Sequence, residues 1–167
     1  IENRLRLLLE TIDSLSAAIG ARHVGVRISP FGRLYDMHAY DNEAETWLTL
    51  AAKLSQYDLS YLHLSDQYIL GANVETDFFV NFRKAYPGTL IVAGGFDQDS
   101  AEATLKAGKA DLIGFGQPFV ANPDLVERMA NGWPLAQAQR DTLYGLHGAR
   151  GYIDYPRYSN QEVRNER

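Results

Sequence analysis

Two short apolar runs in this chain stop on glycine, and a glycine at a strand end leaves backbone N–H groups unobstructed. The runs are Leu90-Ile91-Val92-Ala93-Gly94-Gly95-Phe96 and Asp111-Leu112-Ile113-Gly114-Phe115-Gly116. With no Cβ in the way, the amides of Gly94, Gly95 and Gly116 can close on an anion such as phosphate. Either loop alone reads better as a tight turn needing positive φ; their recurrence on successive strands favours phosphate. Arg27 brings a cation, interrupting the apolar strand Val24-Gly25-Val26-Arg27-Ile28-Ser29 near the end that should face a site. A buried guanidinium must be paired, and a carboxylate of the protein or an electron-rich ligand atom would each serve. His63 titrates near neutrality if exposed, but a strand histidine reads first as a packed or hydrogen-bonded core residue. Tyrosines in Tyr144-Gly145-Leu146-His147-Gly148 and Gly151-Tyr152-Ile153-Asp154-Tyr155-Pro156 can roof a pocket or simply seal one end of the fold. His23, His38 and His147 share no ligand spacing, and no metal motif occurs, so no metal site is expected.

The elements that must position these groups alternate. Leu5, Leu8, Leu9, Ile12, Leu15 and Ile19 recur at three and four residues, predicting a helix that ends at Gly20. A strand at 24–29 follows, closed by Pro30 and Gly32. Asn42 and Glu45 predict a capping box for a helix carrying Trp47, Leu48, Leu50, Ala51 and Leu54. A strand at 59–65 leads to a helix with Phe78, Phe79, Phe82 and Tyr86, ended by Pro87-Gly88. The two glycine-bearing strands come next, separated by a helix at 100–106. Asn122 as cap, Pro123 in the first turn and Asp124 against the dipole predict a last helix running to Gly132. Such alternation implies parallel strands joined by right-handed crossovers, and ligands of α/β folds sit at the carboxyl ends of the strands. Four such units make either a small open sheet or half of a (β/α)8 barrel. Residues 1–158 read as one domain, with 159–167 a charged tail.

Composition bounds the partners. The chain has 167 residues, 46% hydrophobic and 22% charged, with a net charge of −5 and no cysteine. An acidic chain with scattered Lys and Arg is not expected to bind nucleic acid. No apolar run approaches the roughly 20 residues that span a bilayer, so no membrane partner is expected. The absence of cysteine is compatible with a cytoplasmic location and removes thiolate chemistry. Opening in mid-helix without Met, the chain is expected to continue something upstream.

In order along the chain, Ile1-Glu2-Asn3-Arg4, Val26-Arg27-Ile28-Ser29-Pro30, Tyr61-Leu62-His63-Leu64, Ala93-Gly94-Gly95, Gly114-Phe115-Gly116-Gln117-Pro118-Phe119-Val120-Ala121-Asn122-Pro123-Asp124-Leu125 and Gly151-Tyr152-Ile153-Asp154-Tyr155-Pro156 resemble the Old Yellow Enzyme family of FMN-dependent ene-reductases. The resemblance runs to Tyr158 and is nearest to the N-ethylmaleimide reductase-like members. It implies the carboxyl-terminal half of a (β/α)8 barrel, strands five to eight, preceded by the fourth helix. It implies FMN as cofactor, NAD(P)H as reductant and a small electrophilic alkene as substrate. Arg27 would meet the pyrimidine side of the flavin, and Ala93, Gly94, Gly95 and Phe96 the ribityl phosphate. Gly116 and Gln117 would complete the phosphate site, with an amide at 117 where the family usually has a guanidinium. Leu34, Tyr35 and Tyr144 would line the substrate pocket. No catalytic residue is expected within this chain, because the proton donor and the substrate-binding pair belong to the other half of the family's barrel. The implied partner is that half, or a second copy covering the open sheet. Two alternatives remain: a non-catalytic half-barrel that binds flavin or phosphate or only serves as scaffold, and a phosphosugar-handling barrel.

Overall fold

Alternation of residue types decides which way each strand faces. In the computed structural model, which describes residues 1–33, 36–65, 76–144 and 148–159, four strands pair in chain order. These are β1 (Gly25–Ile28), β2 (Tyr61–Ser65), β3 (Leu90–Ala93) and β4 (Leu112–Gly114), all parallel. Val26 and Ile28, Leu62 and Leu64, and Leu90 and Val92 are buried. They share one face of the sheet, since side chains alternate along a strand and register partners lie side by side. The opposite face carries Arg27, Tyr61, His63, Ser65, Ile91, Ala93, Leu112 and Gly114, none of them fully buried. Helices α2 (Glu43–Leu54), α3 (Thr76–Ala85) and α4 (Gln98–Lys106) are the crossovers. Leu50, Leu54 and Phe82 are completely buried and complete the core on the helical side. Each such side chain contributes about 1.5–3 kcal/mol of transfer free energy. The strand–crossover pattern is that of half a (β/α)8 barrel, as expected.

These strands and crossovers lie in the first of two compact units, Ile1–Gly114 and Phe115–Arg167. At the amino-terminal side of the sheet, Arg83 grips Asp111 with two hydrogen bonds of 2.9 and 3.1 Å. The same carboxylate accepts the Leu90 amide at 2.8 Å, so α3, β3 and the start of β4 are tied at one point. The first helix, α1 (Glu2–Ile19), buries only Leu5 and Ile12, while Leu15 and Ile19 of its expected apolar face are 44% and 55% exposed. Among the described residues no helix is long and apolar enough to cross a membrane.

Two expected helix starts are not built as the local pattern suggests. Asn42 is left-handed, at φ 60, and makes no side-chain cap. Its carbonyl instead accepts the Thr46 amide and hydroxyl at 2.8 and 2.7 Å. The nearby Glu43 carboxylate is buried and held by Arg33 at 3.0 and 2.7 Å. A true capping box forms at α4, where Asp97 accepts the Ser100 amide at 2.8 Å and Ser100 accepts the Asp97 amide at 3.1 Å. Asn122 is likewise no cap. It is wholly buried, donating to Pro118 and Ala136 carbonyls at 2.8 and 3.0 Å and accepting the Ala136 amide at 2.8 Å. Three hydrogen bonds, two of them to Ala136 fourteen residues on, outweigh the one or two a local cap offers.

The second unit is organised around an ion pair. Within it, α5 (Gln117–Ala121) is a short helix that the pattern does not announce, and α6 (Leu125–Asn131) follows. Arg128 donates to Asp124 at 2.7 Å, and both side chains are buried. Its other nitrogens reach the Pro134 and Pro156 carbonyls at 2.9 and 3.0 Å. Asp124 also accepts the Tyr158 amide at 2.7 Å, and the Tyr158 ring stacks on Trp133 with centroids 4.4 Å apart. Burial works to raise the Asp124 pKa, but the Tyr158 amide and Arg128 together outweigh it and hold the carboxyl below the usual carboxylate range. Stability linked to this carboxylate is therefore present at neutral pH and is lost as pH falls through that lowered value. In a Trp47→Phe background, acidification should shift Trp133 emission as the Tyr158 segment detaches. Asp124→Asn should show the shifted emission already at pH 7 and no acid transition of its own.

Candidate functional site

The carboxyl edge of the sheet gathers the groups that the sequence singled out in the first unit. Register places Arg27 beside His63, His63 beside Ile91 and Ile91 beside Leu112. One row nearer the edge stand Ser65, Ala93 and Gly114, in that order across β2, β3 and β4. This edge row is built from small side chains, and all three residues are half-buried. Arg27 is exposed rather than buried, and its Nη2 donates to the Ser65 hydroxyl in the edge row. The guanidinium thus leans toward the strand ends on a neutral partner. The carboxylate pairing considered for it is not what holds it.

His63 is half-buried, but its Nε2 is fully enclosed and has no hydrogen-bond partner. A Cβ built on Gly114 would lie 3.8 Å from that nitrogen and 3.1 Å from the Ala93 methyl. Desolvation, aided by the Arg27 charge, holds the imidazole below its usual pKa, so it is neutral at pH 7. Of the two expected roles, packed or hydrogen-bonded, His63 takes the packed one, and its inner nitrogen is without a partner among the described residues.

Beyond β3 the chain turns through Gly94 at φ 133 and Gly95 at φ 75. Both lie where L side chains rarely go, which explains glycine conformationally. Space adds a second reason at Gly95, where a Cβ would meet nothing within 4 Å. The loop thus leaves room against the Gly95 backbone that a ligand can fill. Phe96 turns its ring into the core, at 7% exposure, leaving only its main chain for an outside partner.

In the second unit, Gly116 precedes α5 with φ −95, which any residue adopts, and a Cβ there would meet nothing within 4 Å. Nothing in the local fold requires glycine at 116. Gln117 opens α5 and is exposed. Tyr144 is 93% exposed and left-handed at φ 57, with its amide donating to the Tyr152 hydroxyl at 2.8 Å. Gly151, at φ 79, is packed so tightly on Thr142 that a Cβ would sit 2.2 Å from the hydroxyl oxygen. Leu34 and Tyr35 lie outside the described residues. What the sequence reading missed is the role of Ser65 as the partner of Arg27, although its position two residues after His63 puts it on the same face.

A parallel α/β half-barrel with a cation and a glycine turn on one strand edge defines the class. The chain belongs to the NADH:flavin oxidoreductase / NADH oxidase family, whose model matches residues 1–136. It is 35% identical over 159 residues to 12-oxophytodienoate reductase 1 of Oryza sativa subsp. japonica, covering 93% of this chain and 42% of that protein. A 12-oxophytodienoate reductase-like protein of Solanum lycopersicum is also 35% identical over 157 residues, with the same two coverages of 93% and 42%. Morphinone reductase in complex with tetrahydroNAD superposes with a TM-score of 0.84 at 35% identity, over 96% of this chain and 42% of that one. The old yellow enzyme of Trypanosoma cruzi gives 0.83 at 34% identity, over 93% and 41%. The chain therefore spans less than half the length of these relatives.

The residues of the first unit fit a phosphorylated flavin: an open backbone at Gly95, and a cation held forward on a neutral hydroxyl. Gly95→Ala isolates the first of these. Its strained φ should cost about 1 kcal/mol of stability in denaturant unfolding. FMN affinity in the complete polypeptide should fall by tenfold or more, because the methyl fills the approach to the amides.

Proposed function

We propose that this chain is the carboxyl-terminal half-barrel of an FMN-dependent NAD(P)H oxidoreductase that reduces activated C=C bonds. Enones and maleimides are its substrate class, with nitro compounds as further acceptors. One observation carries the reading: Arg27 and the Gly94-Gly95 turn stand on the same carboxyl edge of a parallel sheet, in a chain of the flavin oxidoreductase family. Bound FMN would supply hydride transfer between NAD(P)H and the alkene. Arg27 would hold positive charge beside the pyrimidine edge, where negative charge collects on reduction. The main chain of Ala93, Gly94, Gly95 and Phe96 would take the phosphate. The shares of Gly116 and Gln117 in phosphate binding, and of Leu34, Tyr35 and Tyr144 in the substrate pocket, are read from the resemblance alone.

The proton donor and the groups that orient the substrate are assigned to a complementary half-barrel or, failing that, to a second copy of the chain. The support is physical. Parallel sheets are normally covered on both faces, yet Tyr61 and Leu112 on the open face are 37% and 53% exposed. β1 and β4 are the edge strands of the described sheet.

The test compares the complete polypeptide with the isolated chain, each supplied with FMN, NAD(P)H and an enone. The complete polypeptide should bind flavin and turn over, and the isolated chain should not reduce the enone. Turnover by the isolated chain would overturn the assignment of essential groups elsewhere. Failure of the complete polypeptide to bind FMN would overturn the reading itself. Arg27→Met should weaken FMN about tenfold or more, as expected for loss of a charge-assisted hydrogen bond.

A further inference from the structure

We infer that His63 is a flavin-binding residue whose Nε2 hydrogen-bonds a hydroxyl of the ribityl chain; the inference rests on the FMN reading above. A buried polar atom with no partner is uncommon and calls for a physical explanation. Here the atom is Nε2 of a neutral imidazole, enclosed beside the position where Gly114 has no side chain. Its described neighbours on the sheet offer it no partner. On its own row the neighbours are Arg27, a donor already turned to Ser65, and the apolar Ile91. The edge row beyond holds the Ala93 methyl and Gly114.

Strand order says what should pass there. Arg27 is on β1 and the glycine turn follows β3, so the two sites lie about 10 Å apart, two spacings of roughly 4.8 Å. β2 runs between them. A ligand that places a ring edge at Arg27 and a phosphate at Gly94-Gly95 must carry its linker across β2, and on this face β2 offers Ser65 and His63. The Ser65 hydroxyl already accepts from Arg27, whereas His63 Nε2 has no partner among the described residues.

A hydroxyl both donates and accepts, so it satisfies Nε2 in either neutral tautomer. The small residues of the edge row suit a slim polyol better than a second ring. The protonated imidazole is disfavoured beside Arg27, so His63 supplies recognition without adding charge.

The experiment uses the complete apo-polypeptide and three probes: FMN, riboflavin and lumiflavin, which has no ribityl chain. Dissociation constants are read from quenching of flavin fluorescence. His63→Phe, which keeps the ring volume, should weaken FMN and riboflavin about tenfold each and leave lumiflavin unchanged. His63→Gln, which keeps a donor and an acceptor at similar reach, should recover most of the loss. Equal weakening of all three probes would show that His63 acts through packing and would overturn the inference. Unchanged affinity for all three would overturn it too. If wild-type protein binds lumiflavin but gains nothing from the ribityl chain, this inference fails while the flavin reading stands. If it binds none of the three, both fail.

Discussion

Everything at the candidate site depends on one constraint: the four strands bury their alternate residues against helices on a single face. Val26, Ile28, Leu62, Leu64, Leu90 and Val92 take that face, and period-two geometry sends Arg27, His63, Ser65 and Ala93 to the other. A one-residue slip in β2 would put His63 and Ser65 into the core and Leu62 and Leu64 into the open. The hydrophobic penalty for that slip holds the register, and so the polar face inherits its order from the apolar one. Chemistry on this sheet is a by-product of core packing.

The open face is itself informative. In a closed parallel barrel the inner side chains pack on one another, whereas here Tyr61 lies across Gly25, which has no Cβ to obstruct the ring. Tyr61 and Leu112 keep apolar surface exposed on this face. The coverage of about 42% of the relatives' length agrees with that arrangement. On the proposed reading, the face that a complementary half would cover is the face that carries Arg27 and His63.

The second unit shows a different strategy. Asp124 and Arg128, four residues apart on one helix turn, would be a modest pair on a surface. Burial changes their role. With Arg128 reaching two carbonyls and Asp124 holding the Tyr158 amide, the pair fastens irregular chain that has no strand or long helix of its own. Buried charges persist only when their remaining hydrogen-bonding capacity is used, and here it is.

Strand positions, their parallel order, the glycine ends and the identity of Arg27 were legible from sequence, because each rests on local periodicity or on the stereochemistry of one residue. The motif order was specific enough to suggest the family as well. The side-chain caps expected at Asn42 and Asn122 do not form: Asn42 is exposed and left-handed, and Asn122 takes a buried tertiary role that only the surrounding packing selects. The partner of Arg27 and the unsatisfied Nε2 of His63 also escaped the sequence reading. Period two assigns a side chain to a face, but which residues of neighbouring strands stand side by side is set by backbone hydrogen bonds between segments far apart in the chain. That non-local register is the part that only the tertiary structure decided.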